Sequence, residues 1–156
     1  PLVGDVALSF EDEVGIISGN RIQERALYQM GGTMGYNGKL RGKSNGSVGK
    51  DLLGRSYFSS TLEMSWAIAP GTFYLLPIFF DVGNVFGVER GTTLTANELP
   101  DPWTEIDMSN LEKDFGFGFR VMVPMMGILG FDFAWPLDDQ TGVGIMTTNF
   151  VISQGF

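Results

Sequence analysis

Apolar and polar residues alternate along five stretches of this chain. In residues 115–123, for example, the bulky positions share one parity, and the other parity carries small residues and one arginine. Alternation with a period of two is typical of strands whose two faces meet different surroundings. The other stretches are 58–68, 74–82, 129–137 and 146–156, and a further strand is predicted around Val6, Leu8 and Phe10. The sequence therefore predicts an all-β, antiparallel protein of about six strands, each of roughly 9–11 residues.

The two faces of the predicted strands differ in chemistry. One face is bulky and apolar, and it includes Phe58, Leu62, Met64, Trp66, Tyr74, Leu76, Ile78, Phe80, Phe117, Phe119, Phe131 and Phe133. The other face carries Gly, Ser and Ala with single charges at Glu63, Asp81, Arg120 and Asp132. A bulky face suits lipid, and a small polar face suits the crowded lumen of a transmembrane barrel. The alternative is a soluble sheet, whose second face should carry Lys, Glu and Thr instead.

Long connections alternate with tight turns in the predicted order of strands. Residues of about 14–56 and 88–113 are long polar loops, and residues 69–71 and 125–127 are turns. Long loops at one rim and short turns at the other are typical of outer-membrane barrels. Six strands are too few to close such a barrel, and open edges are not tolerated in hydrocarbon. We therefore expect the remaining strands to be supplied from outside this sequence, in the same or another chain.

Composition excludes several classes of function. The chain has 10 Lys and Arg against 18 Asp and Glu, a net charge of −8, which argues against nucleic-acid binding. It contains no Cys and no His, which excludes zinc centres, disulfides, thiol nucleophiles and triads that need an imidazole. No carboxylate pair comes with the setting of a general acid, so neither an enzymatic activity nor a cofactor is predicted.

Several motifs follow one another in an order that resembles a known family. Gly31-Gly32 and Leu40-Arg41-Gly42 lie in the first long loop, and Ser-Thr-Leu-Glu-Met follows at residues 60–64. Later come Phe-Phe-Asp-Val-Gly-Asn-Val-Phe at 79–86, Gly-Phe-Gly-Phe-Arg at 116–120, the segment 124–132 and the ending 149–156. This order resembles the BamA superfamily, the barrel-assembly and translocation proteins of bacterial outer membranes and their organellar relatives. Lys43 departs from the family pattern, in which an aromatic residue usually follows the Arg-Gly pair.

The resemblance implies a fold and a site. It implies that residues 1–156 are the C-terminal portion of a transmembrane barrel of roughly sixteen strands. The first strands and the periplasmic POTRA domains would then lie outside this sequence. It also implies that the first long loop folds into the lumen, so that Arg41 and Gly42 meet Glu63 and Asp81. Residues Arg120 and Asp132 are predicted to be further lumen charges that pair with each other.

The resemblance also implies a function, in the outer membrane of a Gram-negative bacterium. Barrels of this family insert outer-membrane protein clients through a weak seam, where the last strand pairs with the client. The predicted seam strand and sorting signal include Phe150, Ile152, Gly155 and Phe156. Expected partners are the lipid bilayer, unfolded outer-membrane protein clients, accessory assembly lipoproteins and the remaining barrel strands. The alternatives are a polypeptide translocator of the same superfamily, of the two-partner-secretion or TamA-like kind, and a passive outer-membrane pore.

Overall fold

The computed structural model describes residues 5–19, 26–33, 37–91, 100–138 and 142–153. Its strands are β1 (Val6–Ile16), β2 (Leu52–Ala69), β3 (Phe73–Glu89), β4 (Glu112–Val123), β5 (Gly127–Asp138), β6 (Gly142–Val143) and β7 (Thr147–Ser153). Within these ranges no helix is long and apolar enough to cross a membrane, a criterion that does not address crossing by strands.

All strands belong to one antiparallel sheet, in which each strand pairs with the next from β1 to β5. Both β6 and β7 pair with β5, the first at Leu137 and Asp138 and the second along residues 128–134. They are therefore two segments of a single last strand. The predicted all-β, antiparallel architecture of about six strands is confirmed for the part of the chain that the structure describes.

Aromatic side chains form a ladder on the outer face of the sheet, which is the face turned away from the first long loop. Ring centroids lie 5.2 Å apart for Phe117 and Phe133, 5.5 Å apart for Phe119 and Phe131, and 5.1 Å apart for Phe131 and Phe150. The exposed fractions of Phe117, Phe131 and Phe150 are 41%, 37% and 40%. A continuous exposed aromatic surface of this kind suits contact with lipid.

Two residues of β3 lie on the opposite face from the one that alternation predicts. Leu76 is buried and pairs with Gly118 of the inner face, and Tyr74, two residues earlier, lies on that inner face too. The register between β3 and β4 shifts between Leu76 and Phe79, around Pro77. Proline cannot donate a ladder hydrogen bond, and an extra residue at such an irregularity reverses the parity of the strand. The prediction that Tyr74 and Leu76 face lipid is therefore wrong.

The strands β2 and β3 are longer than predicted, with 18 and 17 residues. Their additional length lies beneath the first long loop, which connects β1 to β2 through residues 17–51. Tyr57 and Val85, on the inner face, form a buried cluster with Met30 and Leu40 of the loop. Because these segments carry apolar side chains toward both faces, they lack the period-two alternation that marks a strand in the sequence.

Part of the connection between β3 and β4 lies against β2. Arg55 of β2 is buried, and its Nη2 donates to Glu105 Oε1 at 2.8 Å and also to the carbonyl oxygen of Pro100. The Nδ2 of Asn84 donates to the carbonyl oxygen of Asn110 at 2.6 Å. These hydrogen bonds fasten the second long connection to the sheet.

Candidate functional site

The candidate site is a tight turn at the tip of the first long loop. The amide of Lys43 donates to the carbonyl oxygen of Leu40 at 3.1 Å, which places Arg41 and Gly42 at the two corner positions. Leu40 is fully buried and Arg41 is 1% exposed. The tip is thus enclosed by the inner face of the sheet, although it belongs to a connection between strands.

The guanidinium of Arg41 is held by carboxylates from three strands. Its Nε and Nη2 donate to the two carboxylate oxygens of Asp81 on β3, at 2.7 and 2.8 Å. Its Nη1 donates to Glu63 Oε2 on β2 at 2.8 Å and lies 3.7 Å from Asp132 Oδ2 on β5. Asp81 is fully buried and receives a further hydrogen bond from Thr61 Oγ1 at 3.0 Å. The two parallel hydrogen bonds to Asp81 need the planar fork of arginine, which lysine lacks.

An aromatic ring supports the guanidinium from another side. The Cζ of Arg41 lies 3.4 Å from the centroid of the Phe79 ring, and Phe79 is 1% exposed. Phe79 pairs with Gly116 on β4, where an added Cβ would lie 2.5 Å from the Phe79 ring. Glycine at 116 therefore leaves the space that the ring occupies. A desolvated cation–π contact of this kind contributes about 2 kcal/mol.

The surroundings of Arg41 keep it charged. Burial by itself lowers the pKa of the guanidinium, but the hydrogen bonds and charge of Asp81 raise it, as do the charges of Asp132 and Glu63. The net effect is a pKa above the ordinary value of arginine. Arg41 therefore stays protonated at neutral pH, and its ion pairs keep their cation there.

The two backbone amides at the corner of the turn also meet carboxylates. The amide of Arg41 donates to Asp81 Oδ2 at 3.3 Å, and the amide of Gly42 donates to Asp114 Oδ2 on β4 at 2.7 Å. Asp114 is fully buried. Because buried backbone groups must be paired, these contacts make the enclosed position of the turn tolerable.

The two corner carbonyl groups are paired as well, by side chains of the last strand. The Nδ2 of Asn149 donates to the carbonyl oxygen of Arg41 at 2.6 Å, and Thr147 Oγ1 donates to that of Gly42 at 3.0 Å. The turn thus contacts β2, β3, β4, β5 and β7 at once.

A second ion pair shares a carboxylate with the first. Arg120 Nη1 and Nη2 donate to the two carboxylate oxygens of Asp132 at 2.7 and 2.9 Å, so Asp132 lies between Arg120 and Arg41. An added Cβ at Gly118 would lie 2.2 Å from Asp132 Oδ1, and one at Gly130 would lie 2.5 Å from Arg120 Cδ. The small residues of the inner face therefore make room for this pair.

The polar groups of the site hold the loop tip against the sheet. Among the residues that the structure describes, no group of three or more His, Cys, Asp or Glu side chains could hold a metal ion. The carboxylates instead accept hydrogen bonds from arginines and from backbone amides. This arrangement can hold the loop tip at a defined position against five strands.

The structure brings together the residues that the sequence singled out inside the barrel. Arg41, Glu63 and Asp81 form one network with Gly42 at its corner, and Asp132 joins that network to Arg120.

Sequence reasoning missed other residues of this site, namely Asp114, Phe79, Thr147 and Asn149. Asp114 has the parity of Gly116 and Gly118, so extending the predicted strand by one residue toward its start would have found it. Nothing in the sequence pattern marks the two polar residues of the last strand as partners of the loop.

The predicted seam residues are described in part. Phe150 and Ile152 lie on β7, where 40% and 51% of their surfaces are exposed on the outer face. Gly155 and Phe156 lie outside the described residues. Their roles in a seam and in sorting stay predictions.

Lys43, which stands where the family pattern has an aromatic residue, is paired with β4. Its Nζ lies 2.6 Å from Glu112 Oε2, and the two side chains are 25% and 37% exposed. We expect Lys43→Glu to lower the free energy of unfolding by about 0.5–1 kcal/mol, since a partly screened attraction becomes a repulsion. Combining it with Glu112→Lys should restore most of that loss in a double-mutant cycle. Additive losses from the two single variants would contradict the pairing.

A family model describes this chain over almost its full length. The model of the Omp85 superfamily domain matches residues 2–156. The chain belongs to the Omp85 superfamily. This membership confirms the resemblance to the BamA superfamily, and the antiparallel sheet fits the β-barrel of that superfamily.

Membership also carries a general statement about function. Omp85 proteins are outer-membrane proteins of Gram-negative bacteria or of organelles, and they work on client proteins at the membrane. A general role in protein insertion or translocation therefore applies to this chain. A search of curated proteins and a search of solved structures found no match.

Proposed function

We propose that this chain is part of an outer-membrane protein assembly factor of a Gram-negative bacterium, one that inserts clients by pairing its last strand with theirs. The observation that carries the proposal is the interruption of that strand at residues 144–146. Within the part of the chain that the structure describes, the last strand is divided into β6, with two residues, and β7, with seven, whereas β2 has 18 residues. A strand whose ladder is interrupted separates from its neighbours more readily than a continuous one.

Proline explains the division of the last strand. The amide of Gly144 donates to the carbonyl oxygen of Pro136 at 2.8 Å, so the carbonyl group of Pro136 is directed toward the last strand. Proline has no amide hydrogen to return that bond. Residues 144–146, next to this position, belong to neither β6 nor β7. Pro136 of β5 therefore gives a structural cause for the interruption of the last strand at residues 144–146.

An edge strand is the element to which a client strand can add. Within the described residues, β7 pairs with β5 alone, so its other edge offers backbone donors and acceptors. In hydrocarbon each of these groups must be satisfied by another strand. A client strand that adds to this edge satisfies them by β-augmentation.

The position of the loop argues against the alternative of a passive pore. The turn at Arg41 and Gly42 lies on the inner face and contacts five strands. A passive pore does not require a turn held against its inner face by buried ion pairs, which are costly to desolvate.

Disulfide crosslinking tests the proposal, and residues 1–156 contain no cysteine of their own that could form competing disulfides. Cysteines at Thr148 or Phe150 should crosslink to a cysteine on the barrel's first strand, and locking this seam should abolish insertion of a client barrel into vesicles. A cysteine at Met126, in the turn between β4 and β5, is the control and should leave insertion intact. If locked seams still inserted clients, the proposal would be wrong. Crosslinks from inner-face cysteines to a passing extended polypeptide would favour the translocator instead.

A further inference from the structure

The last strand and the loop tip are joined by two hydrogen bonds that neither the ion-pair network nor the strand ladder requires. Asn149 and Thr147 donate to the carbonyl oxygens of Arg41 and Gly42, which are the two corner residues of the turn. Asn149 is 6% exposed, so its hydrogen bond is shielded from water. Both donors lie on the inner face of β7, because Thr148 between them is exposed on the other side.

These two donors lie beside the interruption of the last strand. Thr147 is the first residue of β7 and directly follows the interruption at residues 144–146. Above the interruption, β6 pairs with β5 through two residues. Below it, β7 is held both by its ladder with β5 and by the loop tip. The loop therefore contacts the last strand immediately beside its weak point.

We propose that Thr147 and Asn149 are positioning residues that couple the Arg41 turn to the last strand, so that displacement of either one releases the other. The turn is held in place by Asp81, Glu63 and Asp114, which belong to strands β3, β2 and β4. Through the two hydrogen bonds this fixed turn sets the position of β7, and the hinge of the last strand falls at 144–146. The inference deepens the proposed function, on which its consequence for client insertion rests.

Coupling between two elements is reciprocal, and this property separates it from local packing. If the turn stabilises β7, then β7 stabilises the turn by the same free energy. A hydrogen bond lost on the strand should therefore loosen the loop, and an ion pair lost in the loop should loosen the strand. A merely structural role of Thr147 would loosen the strand alone.

Hydrogen exchange of the complete barrel in lipid nanodiscs measures both sides of the coupling. Thr147→Val removes the hydroxyl donor at almost constant shape, and it should raise amide exchange about fivefold in both 39–43 and 147–153. Thr147→Ser keeps the donor and should restore exchange to within about twofold of the unaltered protein. Arg41→Lys, made in the loop, should raise exchange in 147–153.

Matched controls decide the outcome. Thr148→Val is the same chemical change one residue along, on the other face, and should leave exchange in 39–43 unchanged. Lys39→Ala removes an exposed ion pair from the same loop and should leave exchange in 147–153 unchanged. The coupling is overturned if Thr147→Val loosens 147–153 but not 39–43, or if Thr148→Val loosens 39–43 to the same degree.

The test keeps this inference separate from the proposed function. If both segments loosen together while a disulfide-locked seam still inserts clients, the coupling stands and the proposed function fails. If locking abolishes insertion while the two segments exchange independently, the proposed function stands and the coupling fails.

Discussion

Replacing Arg41 with alanine is expected to destabilise the barrel by about 3–5 kcal/mol and to release the first long loop. The substitution leaves Asp81 fully buried without its bidentate partner and removes the partner of Glu63. It also empties the space above the ring of Phe79. Urea unfolding in detergent micelles measures the free energy, and protease cleavage within residues 26–50 measures release of the loop.

Two variants give this prediction its control. Arg41→Lys keeps the charge but loses the planar fork that binds both oxygens of Asp81. Its free energy of unfolding should therefore lie between that of Arg41→Ala and that of the unaltered protein. Lys39→Ala removes the ion pair with Glu11, whose side chains are 44% and 52% exposed, and should cost at most about 1 kcal/mol. Equal losses for Lys39→Ala and Arg41→Ala would contradict the importance of the buried network.

Gly42→Ala is expected to displace the turn although it adds a single methyl group. That carbon would lie 2.6 Å from Asp114 Cβ and 2.8 Å from the backbone nitrogen of Pro136, and a strand backbone cannot move aside cheaply. The hydrogen bond from the Gly42 amide to Asp114 should be lost with the contact. We expect a loss of about 2–3 kcal/mol, since overpacking of a close contact adds to a broken buried hydrogen bond. Urea unfolding and protease cleavage of the loop measure both effects.

Gly71→Ala separates crowding from backbone strain. Gly71 lies in the turn between β2 and β3 at a φ of 78°, and an added Cβ there meets nothing within 4 Å. Its replacement should cost about 1 kcal/mol, from the left-handed backbone conformation alone. If Gly42→Ala lost no more free energy of unfolding than Gly71→Ala, the Arg41 turn would have space for the added methyl group and the prediction would be wrong.

The strands with different chemistry on their two faces were the ones that could be predicted from the sequence. In β4 and β5 the parity of Phe117 and Phe131 sets the outer face, and the opposite parity places Arg120 and Asp132 within reach of each other. In β3 the predicted faces of the residues before Pro77 were wrong, because alternation in the sequence does not reveal a register shift between two strands. The start of β2 was missed because a loop buries its inner face, which removes the polar half of the pattern.

The residues of the candidate site also divide into those that could be predicted from the sequence and those that could not. Parity directs Glu63 and Asp81 toward the inner face, and the resemblance to a family brought Arg41 to them. Asp114 could have been found by extending that parity, but Thr147 and Asn149 could not. Their partners are backbone carbonyl groups, which every residue possesses, so no side-chain pattern identifies them.

By itself the sequence determined the all-β class, the outer and inner faces of most strands and the charges available inside. These properties follow from alternation along a strand, because neighbouring side chains must point to opposite sides. Only the tertiary structure decided where the first long loop lies and which strands its tip contacts. A loop has no periodicity to specify its path, so the position of the Arg41 turn depends on several strands at once. The joining of that turn to the last strand by Asn149, more than a hundred residues away in the chain, is a result of that assembly.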